Sequence, residues 1–349
     1  MSRDPIEPLH PPARPDWLAL HSEPALDPGL PITDAHHHVW GPPWTRYDGA
    51  ELAADIDASG HNVVATVVVQ GGSLYRTVGP QELRSLGETE HVAGLARNAV
   101  ETGGPRLCER IVGHVDLLQG GRVRGIAEEH LALAGDRFVG IRHVVAADED
   151  PMVRTTRVPP PQGLLADTRF RSGFAALAPL ELSFDAWLYH PQIPELTELA
   201  RAFPDTRIIL DHLGGPIGVG TYAERRTDVF KTWRRSLVEL ARCENVLVKL
   251  GGLAMRFNGF GFHERAIPPS SDDLAVAFRP FIETAIEIFG PERAMFESNF
   301  PVDKGSCSYQ ALWNAFKKIA SDCSADEKRS LFHDTAARAY RMSAAPNLS

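Results

Sequence analysis

The sequence predicts an α/β fold, a (β/α)8 barrel, on three observations. Short apolar, β-branched runs alternate with stretches of helical period, the runs number eight, and polar residues with useful chemistry gather at their ends. Strands joined through helices must lie parallel, because a parallel pair needs a crossover connection. An open doubly wound sheet would also satisfy the alternation; the count of eight favours a closed ring.

Residues 1–31 are proline-rich and carry no strand or helix period, so they read as an extended arm that lies along the body or stays mobile. Residues 32–349 then form the barrel domain. The runs fall at 32–39, 63–70 (VVATVVVQ), 109–117, 138–145 (FVGIRHVV), 182–189, 207–213 (RIILDHL), 245–253 (NVLVKLGGL) and 294–301 (AMFESNFP). Helical period is clearest in PELTELARAF and TWRRSLVELARC, and the tail gives two further helices, 308–320 and 325–341. Two connections, 146–181 and 254–273, exceed what a helix needs. Each follows a strand, so each starts on the face where barrel active sites are built, as a substrate-covering loop.

Composition excludes several functions. With 43% hydrophobic and 23% charged residues the chain is an ordinary globular protein. Its formal charge of −9 and scattered basic residues argue against nucleic acid or an anionic membrane as partner. No apolar run approaches the ~20 residues of a spanning helix, and the N-terminus has no apolar signal core. Cys108, Cys243, Cys307 and Cys323 are far apart with no CxxC pair, which suits reduced thiols and a cytoplasmic location. LGGPIGVGTY is glycine-rich but does not form a dinucleotide-binding GxGxxG turn. A small-molecule substrate remains, and the arm leaves a homo-oligomer open.

The chemistry starts at PITDAHHHVWG. Side chains alternate along a strand, so Asp34, His36 and His38 should share one face and His37 the other. A His-x-His pair can set two imidazole nitrogens on one cation at about 2.0–2.1 Å; a hydrated polar tract is the plainer reading. Later strand ends add Gln70, Arg142 with His143, Tyr189 with His190 and Gln192, and Asp211 with His212 before a glycine turn. Singly each fits an ordinary strand cap. Together they line one face of the expected barrel.

The segments LPITDAHHHVWG, FVGIRH, YHPQIPELTELARAFPDTRIILDHLGGP, NVLVKLGGL and FESNFP, in that order from about Pro31 to Met342, resemble the amidohydrolase superfamily. They are most similar to its lactonase-type branch, with sugar lactonases and 2-pyrone-4,6-dicarboxylate lactonase. The resemblance implies a TIM barrel that hydrolyses a small ester, lactone or amide. It also implies that His36, His38 and His212 bind one divalent metal ion, zinc or manganese, or orient the substrate without one. The family's eighth-strand Ser-Asp-x-Pro is Ser298-Asn299-Phe300-Pro301 here. A carboxamide cannot accept the proton of an attacking water, so another base is required. Asp303 and His190 are the candidates, with Asn299 orienting substrate or water.

Glu297 is also placed to serve, but a buried contact with Lys249 on the neighbouring strand is the stronger expectation, since a lone buried charge is very costly. Arg142 beside Gln70 suits a substrate carboxylate or a developing oxyanion. Tyr189, Arg256, His263 and Arg265 are expected to contact substrate, and Trp40, Trp187, Phe257 and Phe260 could form apolar walls, although core packing is the expectation for the tryptophans. Hydrolysis of a lactone is thus the leading expectation. A decarboxylase or hydratase of a small carboxylic acid and a catalytically silent ligand-binding barrel are the alternatives.

Overall fold

The computed structural model describes residues 9–41, 45–102 and 104–342; the first eight residues of the expected arm lie outside them. Eight strands pair in parallel in chain order: β1 (Ile32–His37), β2 (Val63–Val69), β3 (Arg106–Gly113), β4 (Phe138–Arg142), β5 (Ser183–Ala186), β6 (Ile208–Leu210), β7 (Val246–Leu250) and β8 (Ala294–Phe296). A parallel bridge between His37 and Phe300 closes the ring, with His38 N donating to Phe300 O at 2.7 Å. The expected (β/α)8 barrel is the observed one. Its strands are shorter than the apolar runs, because each run continues into the irregular segment carrying the polar residues.

A helix follows every strand: α1 (Gly49–Ser59), α2 (Leu86–Thr102), α3 (Val123–Ala134), α4 (Thr168–Phe174), α5 (Ile193–Ala202), α6 (Arg226–Leu240), α7 (Ser271–Phe289) and α8 (Tyr309–Ile319). Local chemistry sets several ends. Asp48 with Glu51 and Ser270 with Asp273 form capping boxes that start α1 and α7. Gly60, at φ +69°, takes the left-handed conformation that ends α1. The tail forms α8 and then a broken helix, Ala325–Arg329 and Thr335–Ala339 joined by a π turn at Ser330–Asp334, rather than one continuous second helix.

Two apolar layers hold the barrel. One lies between sheet and helices. The other fills the ring with Val67, Val69, Val112, Val139, Ile209, Leu247 and Met295, and is capped below by Ala336, Ala339 and Tyr340. Residues 9–31 lie against the barrel. Trp17 Nε1 donates to Arg265 O (3.0 Å), Ser271 N to Glu23 Oε1 (2.9 Å) and Leu26 N to Asn314 Oδ1 (2.8 Å). Among the described residues no helix is long and apolar enough to cross a membrane. All four cysteines are free thiols.

The first strand departs from strict alternation. Its pairing with β2 slips between Asp34 and His37, so Asp34 does not join His36 and His38 in the mouth. Its carboxylate instead accepts from Ser298 N (2.8 Å), Ser298 Oγ (2.6 Å) and Tyr309 OH (3.0 Å), stitching the first strand to the last. His37 turns away as expected and bonds Thr66 Oγ1 at 2.9 Å.

Burial sets an acid limit to stability. It holds His37 and His61 down to about 4, and His130 and His143 down to about 3. Between those values and the unfolded value of 6.5 the unfolded chain binds more protons, so acidification through that window favours unfolding. Burial raises Asp34 to about 6 and Glu88 to about 7, which opposes the trend. The histidines outnumber them. The melting temperature should therefore fall by several degrees from about pH 7 to about pH 5; a flat or rising profile in scanning calorimetry would contradict this account.

Candidate active site

At the C-terminal end of the barrel a cavity of about 270 Å³ is lined by His38, Gln70, Arg142, His212 and Asn299, with Trp40 and Trp187 as walls. The imidazoles of the first and sixth strands do converge. His36 and His38 face each other with Nε2 atoms 3.2 Å apart, and the His36 and His212 ring centroids are 4.5 Å apart. His212 sits just beyond β6 at φ +53°, where the chain leaves the strand sharply. Gly252, at φ +66°, backs it so closely that an added Cβ would collide with His212 Nδ1.

Each imidazole is oriented from behind. His38 Nδ1 donates to Val69 O at 2.8 Å, which leaves Nε2 as a bare acceptor facing the cavity. His212 Nδ1 meets Glu297 Oε1 at 2.7 Å. Burial works to raise the Glu297 carboxyl, but the neighbouring His212 and His36 imidazoles, by charge and then by hydrogen bonding, outweigh it and hold it below the ordinary carboxylate range. With Glu297 ionised, the hydrogen of this contact sits on His212 Nδ1, and Nε2 is the nitrogen left to face the cavity. Burial, with Lys249 adding to it, keeps His36 neutral well below its ordinary titration range.

Lys249, fully buried, has three polar partners around its ammonium group. Asp185 Oδ2 lies at 2.6 Å, Asp211 Oδ1 at 3.0 Å and His36 Nδ1 at 3.1 Å. Burial works to neutralise the ammonium, and the carboxylates of Asp185 and Asp211 more than compensate and raise its pKa. The expected Lys249–Glu297 pair is therefore corrected. Lysine reaches across to β5 and β6, while Glu297 serves His36 and His212. Arg142 donates through Nε to Gln70 Oε1 (3.3 Å) and through a guanidinium nitrogen to the Gln70 carbonyl, with its other arm 3.3 Å from His36 Nε2 and 3.6 Å from Asp211 Oδ2. It sits beside Gln70, as expected.

The residues fit a divalent cation. The 3.2 Å separation of the paired Nε2 atoms is close to the ~3.4 Å edge of a tetrahedron built on zinc–nitrogen bonds of about 2.0–2.1 Å. The sharper observation is Glu297 Oε2, a buried oxygen without an aligned hydrogen bond, 3.0 Å from His36 Nδ1. His36 can accept from Lys249 at Nδ1 and donate from Nε2 to His38. Alternatively its Nδ1 hydrogen turns to Glu297 Oε2 and Nε2 is freed for an ion. His36, Asp211 and His212 also bring ligand atoms within 4.8 Å of one another; both Asp211 oxygens are, like Glu297 Oε2, buried without an aligned hydrogen bond, with Lys249 Nζ 3.0 Å and Arg142 3.6 Å away.

Several expected residues are elsewhere. His190 packs edge-on to Tyr222 (5.6 Å) and takes Ile217 N at Nδ1 (3.4 Å), behind the cavity wall. Asp303 lies behind Asn299 and outside the cavity lining, accepting from Asn299 Nδ2 at 3.0 Å and Ala254 N at 3.3 Å, and burial pushes its carboxyl well above the ordinary range. The Tyr189 hydroxyl donates to Val153 O (2.6 Å) and meets Thr155 Oγ1 (3.0 Å), supporting the loop after β4 rather than lining the cavity. Gln192 is spent on backbone groups of residues 145, 147 and 189. Arg256 and His263 border a separate, open cleft beside Gly218, and Arg265 pairs with Asp273.

Trp40 and Trp187 line the cavity, and Trp187 is at the same time packed in a buried apolar cluster with Tyr189, Met255 and Phe257, as core packing would have it. Leu9, His10, Thr155, Thr156, Arg157, Met255 and Val302 also line it, unforeseen as individual residues. For Thr155, Thr156, Arg157 and Met255 the sequence signal was the length of the two loops, and the arm gave none.

Comparison with known proteins places the chain in a family. A family model described as Amidohydrolase matches residues 33–342. The uncharacterized protein y4mH of Sinorhizobium fredii is 34% identical over 90% of this chain and 99% of its own length. An L-fucono-1,5-lactonase of Burkholderia multivorans is 28% identical over 66% of this chain and 71% of its own. A crystal structure of an amidohydrolase from Burkholderia multivorans with bound zinc covers 89% of this chain and 99% of that one, at 22% identity and a TM-score of 0.65.

The backing of His212 gives a direct test. Gly252→Ala should displace that imidazole and lower turnover about 100-fold while the far-ultraviolet circular dichroism stays unchanged; an unimpaired variant would show that the position of His212 is unimportant.

Proposed function

The chain belongs to the amidohydrolase family, and on that premise we propose that it opens a small lactone, a sugar lactone in the first instance, by attack of water on the ring carbonyl. The observation that carries this reading is the set of imidazoles from β1 and β6, each oriented from behind, converging with Arg142 on a cavity. The lactonase activity named for the Burkholderia relative supports the substrate class. A cytoplasmic setting belongs to the same proposal, supported by the four free thiols.

In this reading the lactone ring lies between Trp40 and Trp187, which exclude bulk water, and its carbonyl oxygen points at Arg142. The guanidinium is pre-set by Gln70 and Asp211, so it meets the developing oxyanion without rearranging. His212 Nε2 takes the proton of the attacking water. Glu297 behind it stabilises the imidazolium that forms, supplying the carboxylate that position 299 lacks. Asn299, its amide hydrogen held by Asp303, offers its carbonyl oxygen to orient the water. His212 then returns the proton to the ring oxygen as the acyl–oxygen bond breaks, leaving a hydroxy acid. A divalent ion, zinc or manganese, would be held by His36 and His38 with His212 beside them, and would polarise the carbonyl and acidify water.

Incubating the protein with L-fucono-1,5-lactone and related aldonolactones should release acid that a pH indicator records. His36→Ala should abolish the signal. Glu297→Gln, which keeps the shape but removes the charge, should lower kcat roughly 100-fold or more. An active His36→Ala variant would end this assignment, and wild-type protein inert towards every lactone would end the lactonase reading.

A further inference from the structure

The cavity is closed by a piece of chain that the family match does not include. The matched region begins at residue 33, yet Leu9 and His10 line the same cavity as His38, Arg142 and His212. The His10 ring lies over Trp40, with centroids 6.2 Å apart and planes 24° apart. Trp40 in turn lies over His38, at 6.3 Å and 9°. The three rings form a tier running from the mouth to the first-strand histidine pair. Among the described residues neither ring nitrogen of His10 enters a hydrogen bond, and the half-buried side chain lies against Trp40 on the cavity.

The arm is seated firmly enough to hold an imidazole in place. Arg14 donates to His263 O at 2.6 Å and stacks its guanidinium on Trp17, 4.1 Å from the ring centroid. Trp17 is itself buried and anchored to Arg265 O. Pro11 packs directly on Gly305 in the turn after β8, where an added Cβ would collide with the Pro11 carbonyl oxygen. The residue that follows His10 is thus clamped against the turn behind Asn299.

We infer that His10 is a substrate-contacting residue: the arm carries its imidazole over the mouth, where it walls in the bound lactone and hydrogen-bonds one of its oxygens on the side away from Arg142. This inference rests on the lactonase reading above. A neutral imidazole can donate from one nitrogen and accept at the other, so it suits a hydroxyl of a polyhydroxylated ring. Its two hydrogen-bonding nitrogens are left for a ligand because stacking on Trp40 uses only the ring face. The arm therefore helps to set which lactone is accepted, while the imidazoles and Arg142 below carry the chemistry.

The test compares wild type, His10→Ala, His10→Gln and a chain lacking residues 1–12 on one aldonolactone panel. Melting temperatures serve as a control, since the anchors at Trp17, Glu23 and Leu26 remain. His10→Ala should raise KM for the preferred lactone roughly tenfold, with a smaller change in kcat and an unchanged melting temperature. The truncation should do the same, His10→Gln should recover part of the loss, and preference among lactones differing in one hydroxyl should narrow. Wild-type KM and selectivity in His10→Ala, with wild-type turnover normal, would overturn this inference alone. Neither turnover nor calorimetric binding of any lactone by the wild type would overturn it together with the reading it rests on.

Discussion

A buried ammonium ion is very costly unless opposite charge and polar partners surround it, and the architecture of this site follows from how Lys249 meets that requirement. Its three partners come from three strands: Asp185 from β5, Asp211 beyond β6 and His36 on β1. Tyr340 OH closes the arrangement from below by donating to Asp185 Oδ2 at 2.7 Å. The cluster therefore links the tail that plugs the barrel to the first imidazole of the cavity. Asp211 also faces Arg142, so the guanidinium and the histidine are referred to the same buried charge and hold a fixed relation to one another.

Above this layer lies a second one, organised by Glu297. One carboxylate oxygen fixes His212, and the other waits 3.0 Å from His36. This division clarifies the substitution at the end of the last strand. Asn299 cannot accept a proton, and Asp303 stands behind it rather than on the cavity, its carboxyl raised by burial. The negative charge has not left the site; it stands behind the imidazoles instead of beside the water. A carboxylate in that position acts through histidine, raising its basicity and fixing its tautomer.

The fold was legible because its signals are local. Runs such as VVATVVVQ and RIILDHL declare strands within a few residues, and PELTELARAF declares its helix by period alone. His36, His38, His212, Gln70 and Arg142 were legible too, since strand ends on one face of a barrel must meet. Residues whose surroundings come from distant elements were misjudged. Trp40 was expected in a core, yet it stands between two histidines on a cavity wall. His190 and Tyr189 follow β5 directly, but the chain turns there and sends both behind the wall. Alternation misplaced Asp34, because the slip in β1 pairing cannot be seen in the letters DAHHH.

The amino-acid order by itself determined the closed ring of strands, the imidazole pairs at their ends and the missing acid at position 299. Each of these is written in short-range periodicity or in residue identity. Only the folded chain decided which carboxylate faces which cation. A buried charge takes the partner that the barrel's twist and stagger bring nearest, and adjacency in strand order does not fix that choice. So Lys249 meets Asp185 and Asp211 rather than Glu297, and a proline-rich arm without any periodic signal ends with a histidine over the cavity.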